Sequence, residues 1–413
     1  MAYSNSRQQR VYLLPEATLG TVPNTAGAAN FAGANACRIT KFNIRNNVAT
    51  IRRPDKTGTR SLTQGVTGKR TASWESDMAV APNGTVAIKP DCDPILTAGF
   101  GQSPTVIVAS VKSITAISAA TPAVCTCAAH GLGATGAYMP ITITAAANAL
   151  YLGSWIALVI DASTFSLVGS TAAMGASASA SAQVGSVVYT LSDTVLSFAA
   201  LNARQPWTVF QEIAAGCVVG SMNFSLNQDM ATWTASGTAK AAIDSVNFSS
   251  LDTTGQSGLA AFPGSEPASP VTNGNAVSGF LGQLVIDGNI MGTLKSMGIK
   301  VGINSGLDFA FGSYYATLPS GATRVVSANV SLFEQDDAAS SNIYTKALTK
   351  APVVVVGRIG NTSGSMMAIV LKGVQMEFPD QDDSSNRWVM TIGDSTATAS
   401  TLVALDEVTL MFF

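Results

Sequence analysis

The pattern of apolar and polar positions is clearest in residues 324–378, where it predicts a strand, a helix and two further strands. In residues 326–332 every second position is apolar and the positions between are serine or asparagine. This period of two is typical of a strand with one face on a core. Apolar residues then recur at helical spacing in residues 339–348, and Pro352 ends the helix because it has no amide to donate. Residues 361–365 form a turn between the last two strands. The segment predicts one helix packed on an antiparallel sheet.

Short strand patterns fill much of the remaining chain. They include residues 71–79 and 84–89, and a hairpin at 222–235 whose turn is Asn-Gln-Asp. A short helix is predicted from Asp93, ended by Gly101. Turn-forming residues recur about every 8–12 positions, which is typical of sandwiches and barrels. We therefore predict an all-β fold, mainly an antiparallel β-sandwich or barrel with one flanking α-helix.

The composition changes in residues 106–187, and this change sets the predicted domain organisation. Lys112 and Asp161 are the only charged residues there besides the single histidine, and the rest is largely Ala, Ser, Thr and Val in short alternating runs. We predict that residues 106–187 are an inserted small Ig-like β module, which divides a body domain into residues 1–105 and 188–413. The low-complexity run at 174–182 is interpreted as the exit linker of the module.

Composition argues against residence in a membrane and for a reducing compartment. No apolar run approaches the roughly 20 residues that span a bilayer, and residues 1–10 are polar and basic without the apolar stretch of a signal peptide. Five cysteines are an odd number, which favours free thiols over a disulfide framework. We expect the chain to be made and folded in a cytoplasm, with no membrane partner.

Basic charge is concentrated in one segment of an otherwise acidic chain. Residues 41–70 carry eight basic side chains and one acidic side chain, whereas the rest of the chain carries 15 basic and 24 acidic groups, a formal charge of −9. Residues 46–70 contain few large apolar groups, so they form either a flexible loop or a long hairpin that becomes ordered against a partner. A basic segment on an acidic body favours contact between copies of the chain. Nucleic-acid binding fits less well, because the whole domain should then be basic.

Two residue clusters resemble known ligand sites, but neither has the full pattern. Cys125, Cys127 and His130 lack a fourth ligand at zinc-like spacing, so His130 is interpreted as a turn residue. The Gly-Lys run at 65–71 lacks the first glycine and the Ser/Thr of a phosphate-binding loop. A hydrolase reading also fails, since no Gly-x-Ser-x-Gly elbow lies between a strand and a helix. We predict no catalytic residue, no metal, no cofactor and no enzymatic activity.

Three features, taken in their order along the chain, resemble the tail tube proteins of long-tailed phages. The first is the run EATLGTVP at 16–23, and the second is the basic Thr/Gly segment at 46–70 followed by a strand and the helix run DPILTAGFG at 93–101. The third is the run GSMNFSL at 220–226 with the later strand, helix and Gly-Asn turn. The resemblance covers residues 1–105 and 188–413.

The resemblance implies a structural virion protein that assembles in the host cytoplasm. Its copies would form hexameric rings stacked into a hollow tail tube around a tape-measure protein, capped by tail terminator and tail-tip or baseplate proteins. DNA would pass through the bore transiently, without specific binding. In that family the long loop near residue 50 bridges to the next ring. The residues implied in this inter-ring contact are Arg52, Arg53, Lys56 and Arg60.

The acidic residues Asp380, Asp382 and Asp383 follow Pro379 in a predicted loop. They lack the further oxygen ligands and the central glycine of a calcium loop. Under the tail tube resemblance they are candidates to line the bore, where acidic groups would repel phosphates and keep DNA from adhering.

The module carries a resemblance of its own and an alternative function. Its VCTCAAHGL, ALYLGSW and DASTFSL runs are similar to a small β module of phage structural proteins, which by analogy lies outside the tube. The alternative is an adhesin-like virion protein that binds carbohydrate or cell wall through this module. Tyr151 and Trp155 are then the candidate stacking aromatics.

Overall fold

The computed structural model describes residues 6–25, 28–52, 64–248, 259–267, 276–279, 282–292, 294–334, 338–383, 387–401 and 404–413. Within these ranges the regular structure is almost entirely antiparallel strand, with two short α-helices, so the predicted all-β class is confirmed. Three stretches of the chain contain these elements in order.

The elements before residue 101 are β1 (Arg10–Pro15), β2 (Asn24–Thr25), β3 (Ala28–Ala29), β4 (Ala36–Cys37), β5 (Lys41–Ile51), β6 (Val66–Ala79) and α1 (Asp93–Phe100). The next are β7 (Thr105–Ile114), β8 (Ala116–Ile117), β9 (Ala123–Thr126), β10 (Tyr138–Ala146), β11 (Gly153–Val159), β12 (Thr164–Leu167) and β13 (Ala180–Thr190). The last are β14 (Phe198–Ala203), β15 (Glu212–Asn227), β16 (Thr232–Asp244), β17 (Gln283–Ile286), β18 (Asn289–Met291), β19 (Leu294–Gly302), β20 (Ser305–Asp308), β21 (Leu318–Gly321), β22 (Val325–Phe333), α2 (Ala338–Thr349), β23 (Val353–Ile359), β24 (Met367–Gln375), β25 (Asp380–Asp382), β26 (Val389–Ala397) and β27 (Val408–Phe412).

Helix α1 lies where the sequence predicts it, whereas the strand expected just before it does not form. Pro94 is in the first turn, where a missing N–H costs no helical hydrogen bond, and Gly101 ends the helix in the left-handed conformation at φ 77°. The prediction of a strand at 84–89 is wrong. Gly84 and Ala87 have φ values of 93° and 63°, which interrupt an extended backbone, and the segment forms turns.

The strand, helix and strands predicted in residues 324–378 are confirmed as β22, α2, β23 and β24. In β22 the apolar positions Val326, Val330 and Leu332 are buried and Asn329 between them is exposed. The predicted hairpin at 222–235 is also present, because β15 pairs with β16 with Met222 opposite Ala235.

One sheet of seven neighbouring strands organises the body. Its order is β5, β6, β16, β15, β19, β22 and β26, and every neighbouring pair is antiparallel. One edge of β15 pairs with β16, and its other edge pairs with two different strands. Along this second edge, residues 212–217 pair with β14 and residues 221–227 pair with β19. The strands β1 and β4 extend the pairing from β14. The strands β19, β22 and β26 continue the seven-stranded sheet beyond β15.

The two faces of this seven-stranded sheet differ sharply. The core face carries large buried residues such as Trp74, Phe224 and Ile299, which pack against α1 and the strands β23, β24 and β27. Residues directly opposite one another in antiparallel strands share a face, so the pairing registers also define the other face. The residues that form this polar face are Asn43, Ser73, Asp77, Thr234, Ser236, Thr238, Ser221, Asn223, Ser225, Ser296, Lys300, Ser327, Asn329, Ser331, Thr391 and Thr396, with Lys41, Arg45 and Glu75.

The inserted module is joined to the body by continuous strands. β7 and β13 pair from Ile114 with Ala180 to Thr105 with Val188, and residues 187–190 of β13 also pair with β27. We call this pair of strands the module ribbon. The interpretation of residues 174–182 as an exit linker is wrong, because Ala180 and Ala182 are buried positions at the start of β13.

The cores of the module and the body meet without a gap. The module core contains Ile141, Phe165 and Leu167, and the same cluster of buried residues includes Val356 and Met411 of the body. The module is therefore a packed extension of the body.

Candidate assembly surfaces

The basic segment forms the arms of a long hairpin in the part that is described. β6 pairs with β16 only as far as Ala72, whereas β5 and β6 stay paired out to Ile51 with Val66. Beyond the sheet, residues 47–51 and 66–71 thus form a two-stranded arm that we call the basic ribbon. Of the two interpretations of residues 46–70, the arms agree with the hairpin, and its ordering against a partner stays a prediction. Arg53, Lys56 and Arg60 lie outside the described residues.

Aliphatic as well as basic side chains of the basic ribbon are exposed. Val48, Ile51 and Val66 have exposed fractions of 46%, 59% and 54%, although β-branched residues on a strand usually pack against a neighbour. Arg52, at the end of β5, is exposed. The described part of this segment therefore exposes both charge and apolar area.

The β20–β21 hairpin braces one side of the basic ribbon. Lys69 Nζ lies 4.9 Å from the ring centre of Phe309, and the Arg70 guanidinium lies 5.8 Å from the ring centre of Tyr315. Arg70 also donates from Nη1 to Tyr315 Oη at 2.9 Å, and its amide donates to Tyr314 O. These contacts fix the side of the ribbon nearest the body and leave Arg52 and Ile51 beyond them.

A small ion-pair group lies on the polar face where the basic ribbon leaves the sheet. Lys41 Nζ lies 2.8 Å from Glu75 Oε1, Arg45 lies 3.5 Å from the same oxygen, and Asn43 donates to it at 2.9 Å. The hydrogen bond from Lys41 lowers the pKa of Glu75, and the same bond raises the pKa of Lys41. Because these groups are exposed, the pairs orient the side chains more than they stabilise the fold.

The polar face forms a broad, shallow surface. A concavity of about 620 Å³ lies on it between β5 and the start of the β20–β21 hairpin, lined by Asn43, Arg45, Ser236 and Asn304 among others. Most of the face is Ser, Thr and Asn, and its few charged residues are of both signs. Such a surface makes many weak contacts with water and has little net field.

The three candidate bore-lining carboxylates lie on and just after the short strand β25. Asp380 is opposite Thr391 of β26 and Asp382 is opposite Val389, and all three carboxylates are exposed. Six antiparallel pairings separate β5 from β26, so the two strands run in the same direction. β25 pairs at the start of β26, and the basic ribbon leaves from the end of β5. The carboxylates therefore lie at the opposite end of the sheet from the ribbon.

Aromatic and acidic side chains flank β25 on both faces of the sheet: Asp380 shares the polar face with Thr391, whereas Gln381 lies opposite Met390 of the core face. Gln381 Nε2 donates to Glu334 Oε2 at 3.1 Å and to Tyr344 Oη at 2.8 Å, and the ring of Tyr344 lies 5.8 Å from that of Phe378. The amide of Glu334 donates to the carbonyl of Trp388. We call this end of the sheet the acidic end surface, and its residues are Glu334, Tyr344, Leu348, Lys350, Glu377, Phe378, Asp380, Gln381, Asp382, Asp383, Arg387 and Trp388, five of them acidic and two basic.

Large apolar groups are exposed within the acidic end surface. Leu348 is 76% exposed, Phe378 57% and Trp388 54%. Leu348 lies one helical turn after Tyr344 on α2, so the two side chains share a face. Exposed aromatic and aliphatic groups inside a polar rim are typical of a protein contact.

The prediction that Tyr151 is a surface aromatic of the module is wrong. Its side chain is fully buried, and its hydroxyl donates to Gly175 O at 2.6 Å. Trp155 is half-buried and donates from Nε1 to Tyr151 O at 2.8 Å. Since Tyr151 fills the module core, it cannot stack on a carbohydrate ring.

His130 closes a turn, as the sequence interpretation expected. Its Nδ1 accepts from the Leu132 amide at 3.1 Å, and this leaves Nε2 to donate to Asp161 O at 2.7 Å. Cys125 and Cys127 are buried free thiols whose pKa values are raised by burial. In the described ranges no three His, Cys, Asp or Glu side chains come together in a way that could hold a metal ion.

Two further charged residues, buried Glu16 and half-buried Arg358, make contacts between distant parts of the chain. Glu16, in the run at 16–23, accepts from the amides of Gly20 and Gly216, each at 2.9 Å, and from Ser197 Oγ at 2.8 Å, while burial raises its pKa. Arg358 of β23 reaches the module and donates to Ser154 O. Burial lowers the pKa of Arg358 to about 10.

Comparison of the chain with protein-family models and with curated proteins found no match. Neither α-helix in the described part of the chain has the length and hydropathy to cross a bilayer. The function is therefore inferred from the polar face, the basic ribbon and the acidic end surface.

The sequence interpretation missed the polar face and the apolar part of the acidic end surface. A signal for the polar face was present, because Ser, Thr and Asn alternate with apolar residues in parts of β15, β16 and β22. The alternation does not show that these strands are neighbours in one sheet. Phe378 and Trp388 carried no signal, since single aromatic residues are normally buried.

Proposed function

We propose that this protein is a self-assembling structural subunit of a phage tail tube. Its copies would form rings, hexameric by the family resemblance, that stack into a hollow tube. In this proposal the tube encloses a tape-measure protein during assembly, ends at terminator and tail-tip proteins, and later conducts DNA.

The observation that carries the proposal is the polar face of the seven-stranded sheet. One solvated face is common in antiparallel sheets, and here the polar face extends across seven neighbouring strands. A tube provides a reason, because the inner surface of each subunit must remain wet and open. Small polar groups with charges of both signs would also hold a passing polyanion only weakly.

The edge strand β5 supports ring formation. Among the described residues it pairs only with β6, and its outer edge receives a side-chain hydrogen bond from Gln9 to Phe42 O. The rest of an 11-residue strand thus has backbone groups available for another copy. Unpaired edges promote association between chains, and pairing around a closed ring would satisfy them.

Negative-stain electron microscopy of the full-length protein over a concentration series tests the proposal. We expect rings at low concentration and hollow tubes at high concentration, with the module visible as an outward projection. A monodisperse monomer at every concentration, with and without extract from phage-infected cells to supply a tail-tip initiator, would contradict the proposal.

A further inference from the structure

The two ends of the seven-stranded sheet carry complementary surfaces. At one end, Arg52 directly follows the basic ribbon, whose aliphatic residues Val48, Ile51 and Val66 are exposed. At the other end, the acidic end surface presents carboxylates on β25 and the exposed side chains of Phe378 and Trp388 next to that strand. The two surfaces therefore match both in charge and in apolar character.

We infer that the acidic end surface is the docking site for the basic ribbon of a second copy of this chain. The inference rests on the self-assembly proposed above, and it gives Asp380, Asp382 and Asp383 a role in contact between copies. Opposite charges would steer the two ends together and set the register. The aliphatic side chains of the ribbon would cover Leu348, Phe378 and Trp388, which supplies the apolar burial that exposed ion pairs lack.

The position of the two surfaces determines the kind of assembly. A contact between different surfaces of two identical copies is head-to-tail, and such contacts continue indefinitely unless a rotation closes them into a ring. Because the ribbon and the acidic end surface lie at opposite ends of the same strands, each added copy exposes a fresh ribbon or a fresh acceptor. Growth along the strand direction follows.

The acceptor is already ordered before any partner arrives. Gln381 joins Glu334 and Tyr344 through its amide, and Lys350 Nζ lies 2.9 Å from Glu377 Oε2 and 3.1 Å from Met376 O. These bonds hold the side chains around Phe378 in place. A pre-organised acceptor loses little conformational entropy when it binds.

A peptide-binding measurement tests the docking site without requiring tubes. The probe is a synthetic peptide of residues 41–70, titrated into the full-length protein at low and moderate salt. We expect binding that the double variant Asp380→Lys, Asp383→Lys weakens at least about tenfold, and that salt weakens for the wild type. The matched control is Asp229→Lys, an exposed carboxylate in the β15–β16 turn at the same end of the sheet. Equal binding by the wild type and the double variant would overturn the inference, as would an equal loss in the control.

A charge exchange in the assembled state provides the second test. The ribbon variant Arg52→Glu, Arg53→Glu and the acceptor variant Asp380→Lys, Asp383→Lys should each leave rings but stop tube growth. A chain carrying all four substitutions should regain tubes, because the exchanged residues then again join opposite charges. Tubes of normal length in the acceptor variant would overturn the docking site while leaving the tube function intact. Peptide binding without tubes in any condition would instead remove the tube function and keep the docking site.

Discussion

Two long antiparallel ribbons extend from the body, and they end in opposite ways. The module ribbon leads into a closed module that has almost no charge and a core of its own, including Phe165 and Tyr151. The basic ribbon leaves Val48, Ile51 and Val66 exposed. A two-stranded ribbon is marginally stable in water unless its apolar side chains are covered. In the module ribbon, β13 finds that cover within the chain, whereas its partner β7 leaves Val108 77% and Val111 65% exposed. In the described part of the basic ribbon both strands are largely exposed.

The largest effect is expected when the module is removed at its predicted boundaries, which tests whether the body depends on the module for its stability. Deletion of residues 106–187 would also remove Val187, which pairs with Phe412 of β27, and it would uncover Val356 and Met411. We expect the free energy of unfolding to fall by more than about 5 kcal/mol, which is enough to unfold many domains. Soluble yield and chemical denaturation of the deletion variant measure this.

A milder deletion provides the control. In this variant an Asn-Gly turn replaces residues 112–182 and joins Val111 to Gln183. It keeps the paired base of the module ribbon, because Val111 and Gln183 lie opposite each other in β7 and β13. This variant should retain more of the stability than the full deletion. If residues 106–187 can be cut out without loss of stability, the module is an independent domain and the continuous-core description is wrong.

A substitution inside the module has the next largest effect. Phe165 is 1% exposed and lies in the core that the module shares with the body. The variant Phe165→Ala should lose about 3–5 kcal/mol, through lost burial and the cavity that remains. Because the cores are continuous, thermal unfolding should remain a single transition with a lower midpoint. Two separate transitions would show that the module unfolds on its own.

The charged contact between module and body should matter much less than the apolar one. The guanidinium of Arg358 donates to Ser154 O, and its buried Nε has no hydrogen-bond partner. Replacement of a buried charge by an apolar side chain of similar length is often neutral or stabilising. We therefore expect Arg358→Met to change the free energy of unfolding by less than about 1 kcal/mol. A loss comparable to that of Phe165→Ala would make Arg358 the main anchor of the module.

The smallest effect on stability should come from the basic ribbon itself. Ile51→Ser changes a residue that is 59% exposed, so the free energy of unfolding should change by no more than about 0.5 kcal/mol. Tube growth should nevertheless slow, because the substitution removes apolar area from the docking contact. Denaturation and light scattering on the same sample separate the two effects. A large loss of stability would mean that Ile51 packs within its own subunit.

Local pattern predicted the elements well where the alternation was strong. The strands around Val326 and Met222 and the helix from Asp93 were each predicted. Alternation of apolar residues, and the Pro and Gly residues that begin or end an element, can be recognised within a few positions of the sequence. Low-complexity sequence misled the interpretation, since Ala and Ser at 174–182 fit a linker as well as a strand. Only pairing with β7 and β10 decides that Ala180 and Ala182 are interior positions.

The candidate surfaces were predicted in part. Charge counting found the basic segment and the acidic residues at 380–383, because both are local in the sequence. Their placement at opposite ends of one sheet depends on six successive strand pairings, and no local pattern contains that information. Tyr151 was misassigned for a similar reason, because an aromatic residue next to a turn can point either way.

The continuity of β13 has a mechanical consequence. This strand runs from the module into the body, where residues 187–190 lie alongside β27. A load that pulled the module outward along the ribbon would act parallel to these strands, in shear. In shear the hydrogen bonds between β13 and β27 resist together, whereas a peeling load would rupture them one after another. The module is thus attached in the geometry that best withstands tension along its own axis.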